Sequence, residues 1–341
     1  MMRILTSPAE EADPPPIRPV AGTAPRPRVS VMVPSREPDE RLCQTLASVM
    51  AQAPSAADMQ IAVVDDASRP GLASRLVRSV DAGGRVEVVE CVERLGLSGN
   101  WNRAIDLARG HFVHLLHQDD YVMPDFYARI GRGFDRAPSA GMAFCRARIV
   151  DGDDRLIKLA SRLQWMPGVL TNWLPAIAER QRVQTPCAVV ARAAYEAVGG
   201  YRSDLHHALD WEMWVRIAAR FPVWYDPRPL ASYRRHEANE TSRLVANGKV
   251  WPDMTRAIGL IAASIPPGLR ARTLAASTRW CAASALRTAT RQIGAGEFDA
   301  AAATLASVPE ILALDGGGDV ATRRRLATLQ ARLAPPIRRA A

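Results

Sequence analysis

Long apolar runs, paired cysteines and lysine are what this chain has least of, and each shortage excludes a class of protein. No stretch of about 18 consecutive apolar residues is present, so no membrane-spanning helix is expected. The five cysteines, Cys43, Cys91, Cys145, Cys187 and Cys281, show no CxxC spacing. That argues against a disulfide framework or a structural zinc site and points to a reducing cytosol. The opening Met1-Met-Arg-Ile-Leu lacks the apolar core of a secretory signal, so the expected location is cytoplasmic. Only Lys158 and Lys249 are lysines, leaving 42 of the 44 basic residues as arginine. With its abundant alanine, the net charge of +9 reads as the residue bias of a GC-rich genome rather than a polyanion groove. No nucleic-acid partner is expected. Residues 251–341 nevertheless carry 12 Arg against 6 Asp+Glu, a basic C-terminal region that can rest on the inner face of an anionic membrane. A glycine-rich phosphate loop is missing too: Pro34-Ser35-Arg36-Glu37 follows the first strand, against a nicotinamide or flavin cofactor.

What is present is the composition of a soluble globular protein, 48% hydrophobic and 23% charged over 341 residues. Residues 1–27 hold seven prolines and several charges and read as a flexible leader. From Arg28 the pattern is strand then helix, repeated. Arg28–Pro34, Gln60–Asp66, Arg85–Val92 and the run that opens at His111 and ends in Asp119-Asp120 are apolar strands. Leu42, Leu46, Val49 and Met50 recur at helical spacing, 72–80 is a second helix, and Ser98 is placed to cap a third that Gly110 ends. This alternation predicts an α/β fold, a mostly parallel, mixed sheet flanked by helices, over residues 28–245. Residues 246–341 are alanine- and arginine-rich and read as a helical C-terminal region, although Thr278 interrupts the face shared by Leu274, Cys281 and Ala285.

Two of these strands end in paired carboxylates, Asp65-Asp66 and Asp119-Asp120. The carboxyl edge of an open α/β sheet is where ligands bind, and two acidic strand ends there suit a hard divalent cation with a phosphate ligand. The plainer alternatives are an Asx turn at 65–66 and a turn before Pro124 at 119–120. Asp151-Gly-Asp-Asp154 reads as a hairpin turn. Asp210 falls at the start of a helix whose apolar face is Trp211, Trp214, Val215 and Ala218, where capping and a functional role are compatible.

In order and spacing these landmarks resemble the family 2 glycosyltransferases of GT-A fold, Rossmann-like, over roughly residues 28–245. The resemblance is carried by Val29–Pro34, Val63-Val-Asp-Asp-Ala-Ser68, Gly99-Asn-Trp-Asn-Arg-Ala-Ile105 and Leu115-Leu-His-Gln-Asp-Asp-Tyr-Val-Met-Pro124. It continues through Thr185-Pro186, Gly199-Gly-Tyr201, Leu209-Asp-Trp-Glu-Met-Trp214 and Tyr233-Arg-Arg-His236. It implies a nucleotide-sugar pocket formed by Pro34, Ser35, Arg36, Asp65, Asp66, Asn100, Asn102, His117, Gln118 and Asp120. It implies a divalent cation, Mn2+ or Mg2+, at Asp119 with His236, and a catalytic base at Asp210 with Glu212 as helper carboxylate. His117 stands where the family's motif begins with aspartate, and Leu209 where relatives often carry an acid. The activity implied is inverting transfer of a sugar from a nucleoside-diphosphate donor to a glycan or lipid-linked acceptor, in surface polysaccharide or glycan synthesis. The two departures also permit a catalytically silent nucleotide-sugar- or glycan-binding subunit.

Overall fold

A computed structural model describes residues 13–236, 244–245 and 248–333. Its first half is the expected alternation. Strands β1 (Val29–Ser35), β2 (Met59–Asp65), β3 (Glu87–Glu90) and β4 (Phe112–Leu115) lie parallel in the order β3-β2-β1-β4. Their connections are α1 (Arg41–Met50), α2 (Leu72–Val80) and α3 (Gly96–Leu107). The second half adds β5 (Tyr121–Val122), β6 (Met142–Val150), β7 (Leu156–Leu159), β8 (Gly168–Val169), β9 (Ala188–Ala191) and β10 (Val223–Arg234). The ten-stranded sheet continues from β4 as β9-β6-β10-β5, with β7 on β6 and β8 on β10. β6 and β10 are parallel, whereas β9 runs antiparallel to both β4 and β6, so the sheet is mixed. Pro227 and Pro229 cannot donate to the ladder, and the β6 and β10 register shifts on either side of Pro229.

Side-chain alternation along the buried strands builds a core on each face. Val31 and Val33 of β1 face α1, α2 and α4 (Phe126–Arg136), where Leu46, Val77 and Ile130 are buried. Met32 faces the other side, with Trp101 of α3 and Trp211 and Trp214 of α7 (Leu209–Ala218). α5 (Trp173–Glu179) and α6 (Arg192–Val198) complete that layer. So do the C-terminal helices α8 (Val250–Ser264), α9 (Pro267–Gly294), α10 (Phe298–Ala313) and α11 (Val320–Leu333), whose Ile258, Cys281 and Ile311 join the same cluster as Trp211.

Three local expectations change. The described part of the leader is not a free tail. Ile17 is buried in the core, the Pro15 carbonyl accepts from Gly200 N (2.7 Å), and the Arg18 carbonyl accepts from Arg192 (2.8 Å). An extended proline-rich segment leaves its carbonyls free, and here the domain supplies the donors. Thr278 does not interrupt its helix: α9 runs 28 residues with Thr278 fully buried. Ser98 does not cap α3, which begins at Gly96, and Asp66 takes over that task.

Candidate active site

Between β1 and β4 the connections diverge, one path running out through β2 and β3 and the chain returning to β4 on the other side. Such a point leaves a crevice beyond the carboxyl ends of the strands. Register sets Ser35 beside Asp65 there, and the segment after β4 brings His117 to Asp120 over the same edge.

Asp120 is buried and fixed from two sides: Arg234 N donates to its Oδ1 (2.8 Å), and Thr45 Oγ1 donates to its carbonyl (2.7 Å). Burial, then the neighbouring Asp119 charge, pushes its carboxyl up to about 6. Asp119 Oδ2 lies 2.8 Å from His236 Nε2. Burial alone would raise Asp119, but the His236 hydrogen bond and the His117 charge hold it below the ordinary range. His117 stacks on Trp101 at 4.9 Å, and its Nδ1 lies 3.2 Å from Asp120 Oδ2. Burial works against its protonated form, yet Asp120, Asp119 and Asp210 together leave it raised. Its Nε2 is buried without a partner among the described residues. Ligating atoms of His117, Asp119 and Asp120 lie within 4.8 Å of one another. A mixed set of carboxylate oxygen and imidazole nitrogen, one nitrogen left unsatisfied, fits a borderline-hard divalent ion.

Asp210 opens α7 from the opposite wall. Trp211 N donates to its Oδ1 (2.6 Å) and Thr185 Oγ1 to its Oδ2 (3.3 Å). Burial raises its carboxyl to about 6 against those hydrogen bonds and the His117 charge. On the β1 side, Ser35 Oγ and Arg36 N both donate to Gln118 Oε1 (2.8 and 3.0 Å), and Gln118 Nε2 donates back to the Arg36 carbonyl (3.0 Å). Arg36 also reaches the Asp66 carbonyl at 3.3 Å. The charges of Asp119, Asp120 and Asp210 all act on His117, and Gln118 ties the same segment to Ser35 and Arg36, so 119–120 and 210 share one lip beside the end of β1.

Residues 30–199 match the family described as Glycosyl transferase family 2. The chain belongs to glycosyl transferase family 2. An uncharacterized protein of Mycobacterium tuberculosis, MT1568, is 30% identical over 245 residues, 68% of this chain and 74% of its own length. A second relative, the uncharacterized protein y4gI of Sinorhizobium fredii, is 29% identical over 199 residues, which make up only 20% of its length. Among solved structures, S. aureus TarS 1-349 in complex with UDP-GlcNAc superposes with a TM-score of 0.62 at 18% identity, covering 89% of this chain and 88% of that one. The mannosyltransferase PcManGT from Pyrobaculum calidifontis, in complex with GDP-Man and Mn2+, gives 0.57 at 20% identity over 96% and 84%. At such identities the likeness is one of fold.

Within this glycosyltransferase the other sequence candidates divide. Asp65 is occupied locally, accepting from Ser68 N (2.9 Å) and Ser68 Oγ (2.6 Å), the Asx turn of the plainer reading. Asp66 accepts from Leu95 N (2.5 Å) and Gly96 N (3.1 Å), binding the start of α3 to the crevice. Asn100 is buried and donates to the Ser35 and Val64 carbonyls (3.3 and 3.1 Å), beneath the pocket floor. Pro34 is a buried β1 residue beside Val64. Asn102 is spent elsewhere: both ends of its amide pair with the Tyr201 backbone (2.7 and 2.8 Å). A Cβ at Gly200 would come within 2.4 Å of Asn102 Oδ1, which is why glycine stands there. Glu212, the expected helper carboxylate, has one oxygen paired within its own helix and the other, Oε2, buried without a hydrogen bond among the described residues. It is buried, one turn before Arg216, and accepts from Arg216 Nε at 2.6 Å. Arg216 in turn donates to the Gly200 carbonyl (2.8 Å), so the pair joins α7 to the end of α6.

The sequence reading gave no role to Arg234, Thr45 or Thr185. Arg234 donates through Nε to the Asp119 carbonyl (2.8 Å), reaches Gln44 Oε1 (2.5 Å), and pairs through Nη1 with Asp154 (2.8 Å). Its one legible signal was its place two residues before His236.

Proposed function

We propose that this glycosyltransferase moves a sugar from a nucleoside-diphosphate donor to an acceptor hydroxyl by single displacement, with Asp210 as the base. The observation that carries the reading is the shared lip: a carboxylate opening α7 faces a His117-Asp119-Asp120 cluster across the sheet's switch point. Relatives of the same fold were solved with UDP-GlcNAc and with GDP-Man and Mn2+, which supports a nucleotide sugar as donor.

The divalent cation, Mn2+ or Mg2+, would be held by Asp119 and His236 with His117 and Asp120 alongside, and would supply Lewis-acid stabilisation of the departing diphosphate. Ser35, Arg36, Gln118 and Asp66 form the wall that receives the nucleoside. Asp210 takes the proton of the acceptor hydroxyl as its oxygen bonds to the anomeric carbon. The bond from that carbon to the diphosphate oxygen breaks, and the diphosphate leaves with the electron pair. A carboxylate raised to about 6 is ionised at neutral pH yet basic enough to assist, a contribution of about 10²–10⁴-fold. With Asp210 as base rather than nucleophile, the anomeric configuration inverts. Thr185 and the Trp211 amide fix the carboxylate's orientation. The acceptor class best matched by this reaction is a glycan or lipid-linked glycan of surface polysaccharide synthesis.

The test is a panel of nucleotide sugars incubated with the full chain and Mn2+, read by released nucleoside diphosphate. Release with one donor is the expected result. A protein that binds donors but releases nothing would be the silent binding subunit. Retained anomeric configuration in the product would contradict the single displacement.

A further inference from the structure

The exposed apolar side chains of this protein are not scattered. Among the described residues ten large hydrophobic side chains are exposed, and five of them fall between Leu156 and Val169. Trp165 is 80% exposed and Met166 74%, values that interior-seeking side chains rarely show without a partner. The same segment is one-sided in charge. From Arg155 to Ala178 the chain has Arg155, Lys158 and Arg162 and no aspartate or glutamate. The next strand over, β10, adds the exposed Arg228 at its proline bulge.

The two features meet in one groove of about 600 Å³, lined by Arg146, Arg162 and Arg228 with Trp165 and Met166 at its rim. The guanidinium of Arg162 sits 4.1 Å over the Trp165 ring, which keeps the aromatic body and the charge together. The loop behind them is braced, Gln164 Nε2 donating to the Met166 carbonyl at 2.8 Å. Lys158, Arg162 and Arg228 pair with no carboxylate among the described residues, whereas Arg129 at the groove's end is matched by Asp226 at 2.7 Å. An amphipathic aromatic beside unpaired cations on long apolar stems suits the boundary between lipid headgroups and acyl chains.

We propose that this groove docks the protein on an anionic lipid bilayer, with headgroup phosphates against Arg146, Arg162 and Arg228 and with Trp165 and Met166 at the acyl boundary. The inference does not depend on the transfer reaction. Where that reading also holds, it has a consequence for the acceptor. The β6–β7 turn that leads into the segment touches the site, Asp154 pairing with Arg234 at 2.8 Å, so an acceptor carried on a lipid would lie beside the catalytic lip. This contact lies on the face around β7 and β8, apart from the one expected of the basic C-terminal region.

The test is co-sedimentation of the full chain with phosphatidylcholine vesicles, with and without phosphatidylglycerol, at low and high salt and without any donor. The expected result is binding that needs the anionic lipid and weakens with salt. Each cation near an anionic surface is worth about fivefold, so Lys158→Gln with Arg162→Gln and Arg228→Gln should lower partition on the order of a hundredfold. Trp165→Ala with Met166→Ser should weaken binding at both salt concentrations. Arg323→Gln with Arg324→Gln and Arg325→Gln, on exposed positions of α11, should leave it unchanged. All these positions are surface residues, and unaltered thermal melting of each variant shows that folding is not the cause. The proposal is overturned if the wild type ignores anionic vesicles, if the groove variants bind as it does, or if only the α11 variant loses binding.

Discussion

Asp210, the proposed base, is held in a condition that costs the fold something and that the proposed transfer would use. Burial raises its carboxyl to about 6 from an ordinary 3.8. Its contribution to stability is therefore fully present below 3.8 and is lost as pH rises through about 6, where the carboxylate ionises in the native state. Two consequences follow from one group. Turnover should fall about tenfold per pH unit below about 6, because the base is then protonated. Asp210→Asn should melt higher than the wild type at pH 8 and lose that advantage at acidic pH, a gain of at most about 3 kcal/mol, read by thermal melts across pH. Glu212 predicts the opposite pattern. It lies buried against Arg216, and breaking a buried pair costs about 3–5 kcal/mol. Glu212→Gln should lose stability on that order, seen in denaturant titration, while the turnover of the folded fraction stays near wild type. A helper carboxylate would show the reverse.

At the scale of elements, the site is a set of strand ends and helix starts tied to one another. The strand ends were legible in the sequence: apolar runs followed by Asp65-Asp66 and Asp119-Asp120 are local signals, and so is the helix that carries Asp210 in its first turn, although β4 itself stops at Leu115. What joins them was not. Asp66 caps α3 across 29 and 30 residues of sequence, and Arg234 binds Asp120 across 114, contacts that no local pattern encodes. The same limit explains Asn102 and Glu212. Both stand inside motifs that mark a family site, and only the position of Tyr201 and Arg216 reveals that both ends of the Asn102 amide and one oxygen of Glu212 are already paired. Removing the long-range cap makes a test at this scale. Asp66→Ala leaves two amides at the start of α3 without their acceptor and should cost about 1–2 kcal/mol. It should also weaken nucleoside-diphosphate binding in calorimetry, since α3 carries Trp101 against His117. Unchanged affinity would separate α3 from the pocket.

The whole molecule adds a longer lever. The C-terminal helices share the core of the sheet's α3 face, so the segment read as a separate helical region is continuous with the layer that positions Asp210. One residue makes the link explicit: buried Asp253 of α8 accepts from the amides of His206, His207 and Ala208, each at 2.8 Å, just before α7 begins. Asp253→Ala should loosen the approach to α7 and lower kcat, while donor affinity, proposed to be set at the Asp119 lip, changes little. Steady-state kinetics beside calorimetry would read that division, and equal loss of both would point to general unfolding. The central claim concerns how the lip itself divides its labour. Its most direct test compares Asp210→Asn with Asp119→Ala in Mn2+-dependent donor binding and in sugar transfer. The account predicts that Asp210→Asn binds donor normally and transfers about 10²–10⁴-fold more slowly, whereas Asp119→Ala loses donor and metal affinity together. Normal transfer by Asp210→Asn would contradict it.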